Sequence, residues 1–274
     1  MEFTHSNPGL FVVADDLGLN DAINDGIFFA LKNGLIDGAS LMPNGEAFSD
    51  AIQRLKDLSH VNVGVHLVLV EEKPTSDISE VGSLAAKDGY LHKNHKIFFI
   101  RYVLGLIDKN EIYLEIRAQI KKCVEAGIKP IFINSHQHLH LLPSVMDMTI
   151  RLAKEFGVPY IRVVTEPVGF DKDKLFRRAQ LLFLNFLSWL AKKKIKKVGL
   201  RYNDFFIGFT DAGNLNIKSL SSAKKLQKMY PEKIIELGCH PGFENQELVE
   251  KYKHWHYHWK KEIEVLKTEN DENK

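Results

Sequence analysis

The 274 residues carry 37 Lys and Arg against 35 Asp and Glu, a formal charge of +2, so the total exerts no general pull toward nucleic acid or an anionic surface. A hydrophobic fraction of 45% with 18 Gly and 9 Pro can bury a large core, and it excludes collagen-like, coiled-coil and wholly disordered chains. Two distant cysteines, Cys123 and Cys239, exclude a disulfide scaffold or thiolate zinc module and suit a reducing compartment, which leaves the 12 histidines as the main chemical resource.

In chain order, Met1 to Gly9 is polar and has no basic segment leading into a long apolar stretch, so we expect no secretory signal and a cytoplasmic protein. Apolar runs of strand composition follow at Leu10–Ala14, Ala39–Met42, Val61–Val70, Pro130–Ser135, Tyr160–Val164, Val198–Tyr202 and Lys233–Gly238. Between them, helical periodicity spans Asp21–Asn33, Glu46–Leu58, Glu111–Ala126 and Pro143–Phe156. Asn20 or Asp21 caps the first helix and Gly34 ends it, while Gly127 and Gly157 close later helices. This alternation predicts an α/β fold, and seven evenly spaced strands suit a barrel better than a doubly wound sheet. No repeat or linker divides the chain, so residues 1–274 read as one domain. Glu71–Asn94 forms an insertion beside a strand end, a helical excursion covers 170–197, and 268–274 is a solvated tail. Lys174–Lys197 mixes Phe, Leu and Trp with basic residues: it could lie on a membrane surface, cover a lipid-like substrate or simply pack on the barrel, and Leu181–Leu190 is too short to span a bilayer. His254–Trp259 reads as part of a packed terminal helix, with His254 and His258 one turn apart.

Ionisable groups recur where strands end. Asp15 and Asp16 close the first strand, either capping the next helix or dividing cation binding and proton transfer between them. Neighbouring strand residues point to opposite faces, so both serve one site only if the strand is already turning there. His66 lies in the otherwise apolar Val63–Leu69, and His136, His138 and His140 alternate after Pro130–Ile133, on one face if strand geometry persists. His240 follows the last strand, and Glu236 within it pairs locally. Active sites of barrels collect at the carboxyl ends of strands, so Asp15, Asp16, His66, His136 and His240 can converge. Two neutral imidazoles and a carboxylate suit a divalent ion with positions left open. No GxGxxG, Walker loop or GxSxG elbow supports a nucleotide or serine-hydrolase reading.

The segments Val13-Ala14-Asp15-Asp16-Leu17-Gly18-Leu19, Val63-Gly64-Val65-His66-Leu67, Asn134-Ser135-His136-Gln137-His138-Leu139-His140 with Pro143, and Glu236-Leu237-Gly238-Cys239-His240-Pro241-Gly242 together resemble the YdjC/ChbG-type carbohydrate deacetylases. Val65–Val70 and Arg201–Gly208 look like the branch associated with hopanoid biosynthesis. Val13 and Leu17 stand where the family often has Asn and Phe, a change that bears on the substrate wall.

The resemblance implies a deformed (β/α) barrel related to NodB-type polysaccharide deacetylases. It also implies one divalent metal ion, Mg or Zn, on Asp16, His66 and His136, with Asp15 as base and His240 as acid. His138 and His140 then stand behind the ligands or against substrate. The expected activity is removal of an N-acetyl group from an amino sugar, in an oligosaccharide or glycolipid. Rival readings are an amidohydrolase-like or phosphoesterase-like centre on His136 and His138, or a non-catalytic glycan- or lipid-binding relative. No nucleic acid partner and no transmembrane segment are expected; peripheral membrane contact and a homo-oligomer stay open.

Overall fold

The computed structural model describes residues 8–58, 61–167 and 175–272, the last four as backbone alone. The start of the polar N-terminal stretch, the excursion up to Lys174 and the final two tail residues lie outside the described residues. Six strands, β1 (Gly9–Leu17), β2 (Gly38–Leu41), β3 (Asn62–Leu67), β4 (Ile133–Ser135), β5 (Phe205–Ile207) and β6 (Ile234–Cys239), pair in parallel in the order β4-β3-β2-β1-β6-β5. Two further contacts curl this sheet toward a ring: Ile133 bridges Ile161, and Tyr160 bridges Arg201. The result is a deformed (β/α) barrel in which the expected strand Tyr160–Val164 survives as a short extended segment.

The sixth expected strand is displaced. At 198–200 the chain is still leaving a helix, with Gly199 at φ +77°, and regular pairing starts only at Phe205. Between them, the Asn203 amide accepts from Val163 N–H and donates to Val163 C=O, so a side chain takes the place of a backbone ladder. At the end of β3 the Gln119 amide does the same for Val68, which is why the apolar run to Val70 is not all strand.

Nine helices surround the sheet among the described residues: α1 (Asp21–Lys32), α2 (Phe48–Leu55), α3 (His95–Val103), α4 (Lys109–Glu125), α5 (Pro143–Glu155), α6 (Leu175–Lys197), α7 (Ile217–Met229), α8 (Gln246–Tyr252) and α9 (Trp259–Glu272). Asn20 caps α1 by accepting from Ala22 N–H, and the helix buries Ile23, Ile27 and Phe28 on one face. In α4 the inward stripe Ile112, Ile116, Ile120 and Cys123 is interrupted by buried Glu115, which accepts from the backbone of Thr75 and Ser76 and so ties the 71–94 insertion to the barrel. Both cysteines are buried and free.

The backbone is helical through Glu272, so residues 268–272 of the expected tail continue α9, while one C-terminal expectation is corrected. The segment before α9 is not helix: a 3-10 turn at Lys253–Trp255 ends at His256, whose φ of +56° reverses the chain. That kink turns Trp255 and Tyr257 inward, and Tyr257 lies against Gly213, where an added Cβ would sit 1.9 Å from its ring.

Candidate functional site

The carboxyl ends of β1, β3, β4 and β6 deliver Asp15, Asp16, His66, His136 and His240 to one side of the sheet. The strand turn needed at the two aspartates is present. Pairing of β1 with β2 shifts register between Ala14 and Leu17, and Asp16 adopts φ +68°, so Asp15 and Asp16 present to the same site. One donor atom each from Asp16, His66 and His136 lies within 4.8 Å of the others, and all three residues are buried. His66 and Asn134 are register partners on β3 and β4.

Hydrogen bonds fix which imidazole nitrogens remain free. His66 Nδ1 is 2.8 Å from Asn134 Oδ1, an acceptor because the Asn134 amide nitrogen donates to Asp15; Nδ1 therefore carries the proton and Nε2 faces Asp16 at 3.2 Å. His136 Nε2 donates to the Glu71 carboxylate at 3.2 Å, leaving Nδ1 3.4 Å from Asp16 Oδ1. Burial opposes charge on His136, but Asp16 and Glu71 outweigh it and push its pKa up to about 10, so without a cation Nδ1 keeps a proton toward Asp16 that a bound cation would displace. Both carboxylate oxygens of Asp16 and His66 Nε2 are buried without a hydrogen-bond partner. Such groups are costly unless something positive satisfies them, and a carboxylate with two imidazoles is the donor set of a borderline divalent cation.

Asp15 is held differently. Its Oδ1 accepts from Ser40 Oγ (2.7 Å) and Asn134 Nδ2 (2.9 Å), and its Oδ2 accepts from Arg162. Burial raises its pKa, yet the Arg162 guanidinium and His66 outweigh burial and keep it ionised far below the usual carboxylate range. Arg162 also donates to Glu236, which accepts from the Tyr160 hydroxyl at 2.8 Å. Glu236 therefore pairs across the barrel with a residue 74 positions away, correcting the expectation of local pairing. A buried charge trio of this kind persists only because every member is paired.

The three alternating histidines do not share a strand face. After Ser135 the chain enters a 3-10 turn, His136–Leu141, with Gln137 and His138 at positive φ. His140 faces away from the cation donors: Nε2 donates to Arg162 C=O (2.8 Å) and Nδ1 accepts from Ser135 Oγ (2.6 Å). His138 packs against Phe206 and Phe209, and burial with the Arg162 charge holds its pKa well below the ordinary value. The donor group contains neither, which removes the support for a centre built on His136 and His138 together.

A cavity of about 550 Å3 has Asp15, His66, His136, His138 and His240 on its lining. The His240 ring is tilted against Tyr257, ring centres 4.7 Å apart, and its Nδ1 has no hydrogen-bond partner. Its position depends on a close backbone contact: Gly26 of α1 meets Gly242, and a Cβ on Gly26 would lie 2.3 Å from Gly242 Cα. Sequence reasoning missed Arg162, Glu71 and Trp255. A lone Arg in the apolar run Tyr160–Val164 and a lone Glu in the last strand were a readable sign of a buried pair. Glu71, at φ +73°, sits in an insertion with no periodicity, and Trp255 Nε1 donates to it at 2.9 Å across 184 residues.

A model of the YdjC-like protein family matches residues 9–270. The chain belongs to the YdjC-like family. Among curated relatives, proteins named carbohydrate deacetylase from Clostridium beijerinckii and Thermoanaerobacter pseudethanolicus are 28% and 29% identical over 94% and 93% of this chain, covering 90% and 88% of their own length. A carbohydrate deacetylase of Danio rerio is 30% identical over 78% of this chain and 69% of its own. An Enterococcus faecalis crystal structure, of a protein named as a candidate for cellobiose-phosphate cleavage, superposes with a TM-score of 0.71 at 21% identity over 95% of this chain and 91% of its own, which shows a shared fold. The YdjC-like chain thus carries its ionisable cluster on a fold it shares with that structure.

Proposed function

We propose that this protein is a divalent-metal-dependent deacetylase that hydrolyses the N-acetyl group of an amino sugar to acetate and a free amine. The observation that carries the reading is the buried Asp16, His66 and His136 group, whose two histidines line one cavity together with Asp15 and His240. Relatives named carbohydrate deacetylase over nearly the whole chain support the same substrate class.

Asp16, His66 Nε2 and His136 Nδ1 would hold the cation. When bound, it supplies Lewis-acid polarisation of the amide carbonyl and acidifies water beside it. Asp15 accepts a proton from the attacking water; Ser40, Asn134 and Arg162 fix its carboxylate so that no reorganisation is needed as charge moves. His240 gives a proton to the departing nitrogen, its ring held against Tyr257 on the cavity lining. His138, with Phe206 and Phe209, forms the wall that meets substrate.

The test is acetate release from N-acetylglucosamine oligosaccharides by protein that is chelated and then given back a divalent ion. Chelated protein is expected to be inactive and restored protein active. Asp15→Asn should keep cation binding by calorimetry while turnover falls by about 10²- to 10⁴-fold, the range for a lost general base. Full activity after chelation defeats the metal assignment. Stoichiometric glycan binding with no acetate released under any divalent ion replaces this reading with the non-catalytic one.

A further inference from the structure

Helix α6 contains seven basic residues and no acidic one, in a chain whose total charge is nearly balanced. Its buried side is narrow, with Leu181, Leu187, Ser188, Ala191 and Ile195 facing the barrel. The opposite side is apolar where a surface helix ordinarily carries charge. Leu182, Phe186 and Trp189 repeat at four- and three-residue spacing and are 58%, 54% and 52% exposed. Helix α3 continues the patch with Ile100 and Val103, followed by Leu104, exposed by 57%, 63% and 65%. The two helices touch through Phe99 and Phe183, ring centres 5.8 Å apart.

A continuous apolar face on two adjacent helices exceeds the scattered exposure normal for a surface. Its charge complement is one-sided. Lys193 lies over the Trp189 ring at 3.3 Å, exposed Lys196 and Lys197 follow, and Lys96 of α3 lies over Phe176. Aromatic and Leu side chains bordered by Lys is the composition of a helix that rests in a lipid interface, apolar face down and ammonium groups at the headgroups. The face also continues into the reaction cavity: Phe99, Ile100, Phe176 and Phe183 line the same space as Asp15 and His136. No helix among the described residues is long and apolar enough to cross a membrane, so this geometry is that of a surface contact.

We propose that the α3 and α6 face docks on an anionic bilayer, opening the cavity toward the headgroup layer so that an acetylated amino sugar held at the membrane surface enters over the apolar rim. The entry route rests on the deacetylase reading; the docking itself does not. Anionic lipid adds attraction for Lys193, Lys196 and Lys197 that neutral lipid lacks.

Flotation with phosphatidylglycerol–phosphatidylcholine vesicles, beside pure phosphatidylcholine vesicles and no vesicles, tests it. The full chain should float with the anionic vesicles, more weakly with the neutral ones, and Trp emission should shift to the blue on binding. Phe186→Ser with Trp189→Ser should reduce partitioning at least about tenfold, because two large side chains no longer enter the interface. Lys193→Glu with Lys196→Glu and Lys197→Glu should abolish the preference for anionic lipid. None of these residues is placed in the reaction chemistry, so both variants should release acetate from a water-soluble N-acetylated sugar as the parent does. A chain that floats but hydrolyses no soluble sugar keeps the docking and loses the deacetylase reading. Absence of flotation, unchanged partitioning of the Phe186 and Trp189 variant, or a vesicle-free dimer that this variant converts to monomer overturns the docking, the last by assigning the face to a second copy of the chain.

Discussion

Glu71 shows how one side chain outside every recognisable motif can set the chemistry of another. Its carboxylate accepts from His136 Nε2 and from Trp255 Nε1, while Glu71 itself adopts φ +73°. A carboxylate behind an imidazole fixes the tautomer, turns the ring and raises the basicity of the other nitrogen, here Nδ1 facing Asp16. Glu71→Gln preserves size but weakens the acceptor, so cation affinity should fall about 10- to 100-fold. Quenching of Trp255, whose ring centre lies 4.8 Å from that of His136, gives a titration independent of turnover; unchanged affinity would mean that Glu71 only shapes the loop. Of the residues that converge here, Asp16, His66 and His136 were legible because each follows or interrupts an apolar run. Glu71 was not, since its place is set by a loop tethered through Glu115 rather than by any local periodicity.

At the scale of elements, the 3-10 turn His136–Leu141 explains why three histidines two residues apart divide their tasks. Strand alternation would have aligned them; positive φ at Gln137 and His138 rotates them apart, and no propensity in Gln137-His138 announces that turn. His140 is fully buried, donating to Arg162 C=O and accepting from Ser135, a pattern only the neutral ring satisfies. Burial lowers its pKa from 6.5 to about 4, the bond to Arg162 C=O opposing and the nearby Arg162 charge adding to the effect. The folded value is the lower one, so the unfolded chain takes up a proton first. Its contribution is fully present above about pH 6.5, falls as pH drops from there to about 4, and is flat below. A depression of this size corresponds to about 3 kcal/mol over that window. Urea unfolding at pH 7 and pH 5 should show a smaller loss for His140→Gln than for the parent, and equal losses would mean that other groups carry the acid sensitivity.

For the whole molecule, the strand order was readable as far as parallel pairing goes, because apolar runs alternating with amphipathic helices leave few other arrangements. The closure was less legible: side-chain amides of Asn203 and Gln119 substitute for ladder bonds, so strand ends depend on partners dozens of residues away. That closure matters energetically because the cation donors come from three strands, Asp16 from β1, His66 from β3 and His136 from the end of β4. Without a cation, the Asp16 oxygens have no hydrogen-bond donor and the charge on His136, 3.4 Å away, is what offsets theirs. A cation that binds only the folded chain adds RT ln(1 + [L]/Kd), about 2.7 kcal/mol at a hundredfold excess over Kd and about 4.1 at a thousandfold. Equilibrium urea unfolding of chelated protein, compared with protein in Zn²⁺ at a hundredfold excess, should shift by that amount with an unchanged slope. Asp16→Asn should lose most of the cation-dependent shift, and its chelated form should be less stable than the chelated parent, since the substitution removes the carboxylate that faces the charged His136 ring. A parent insensitive to the ion, or an Asn variant that retains the full shift, would place the cation elsewhere than between these three strands.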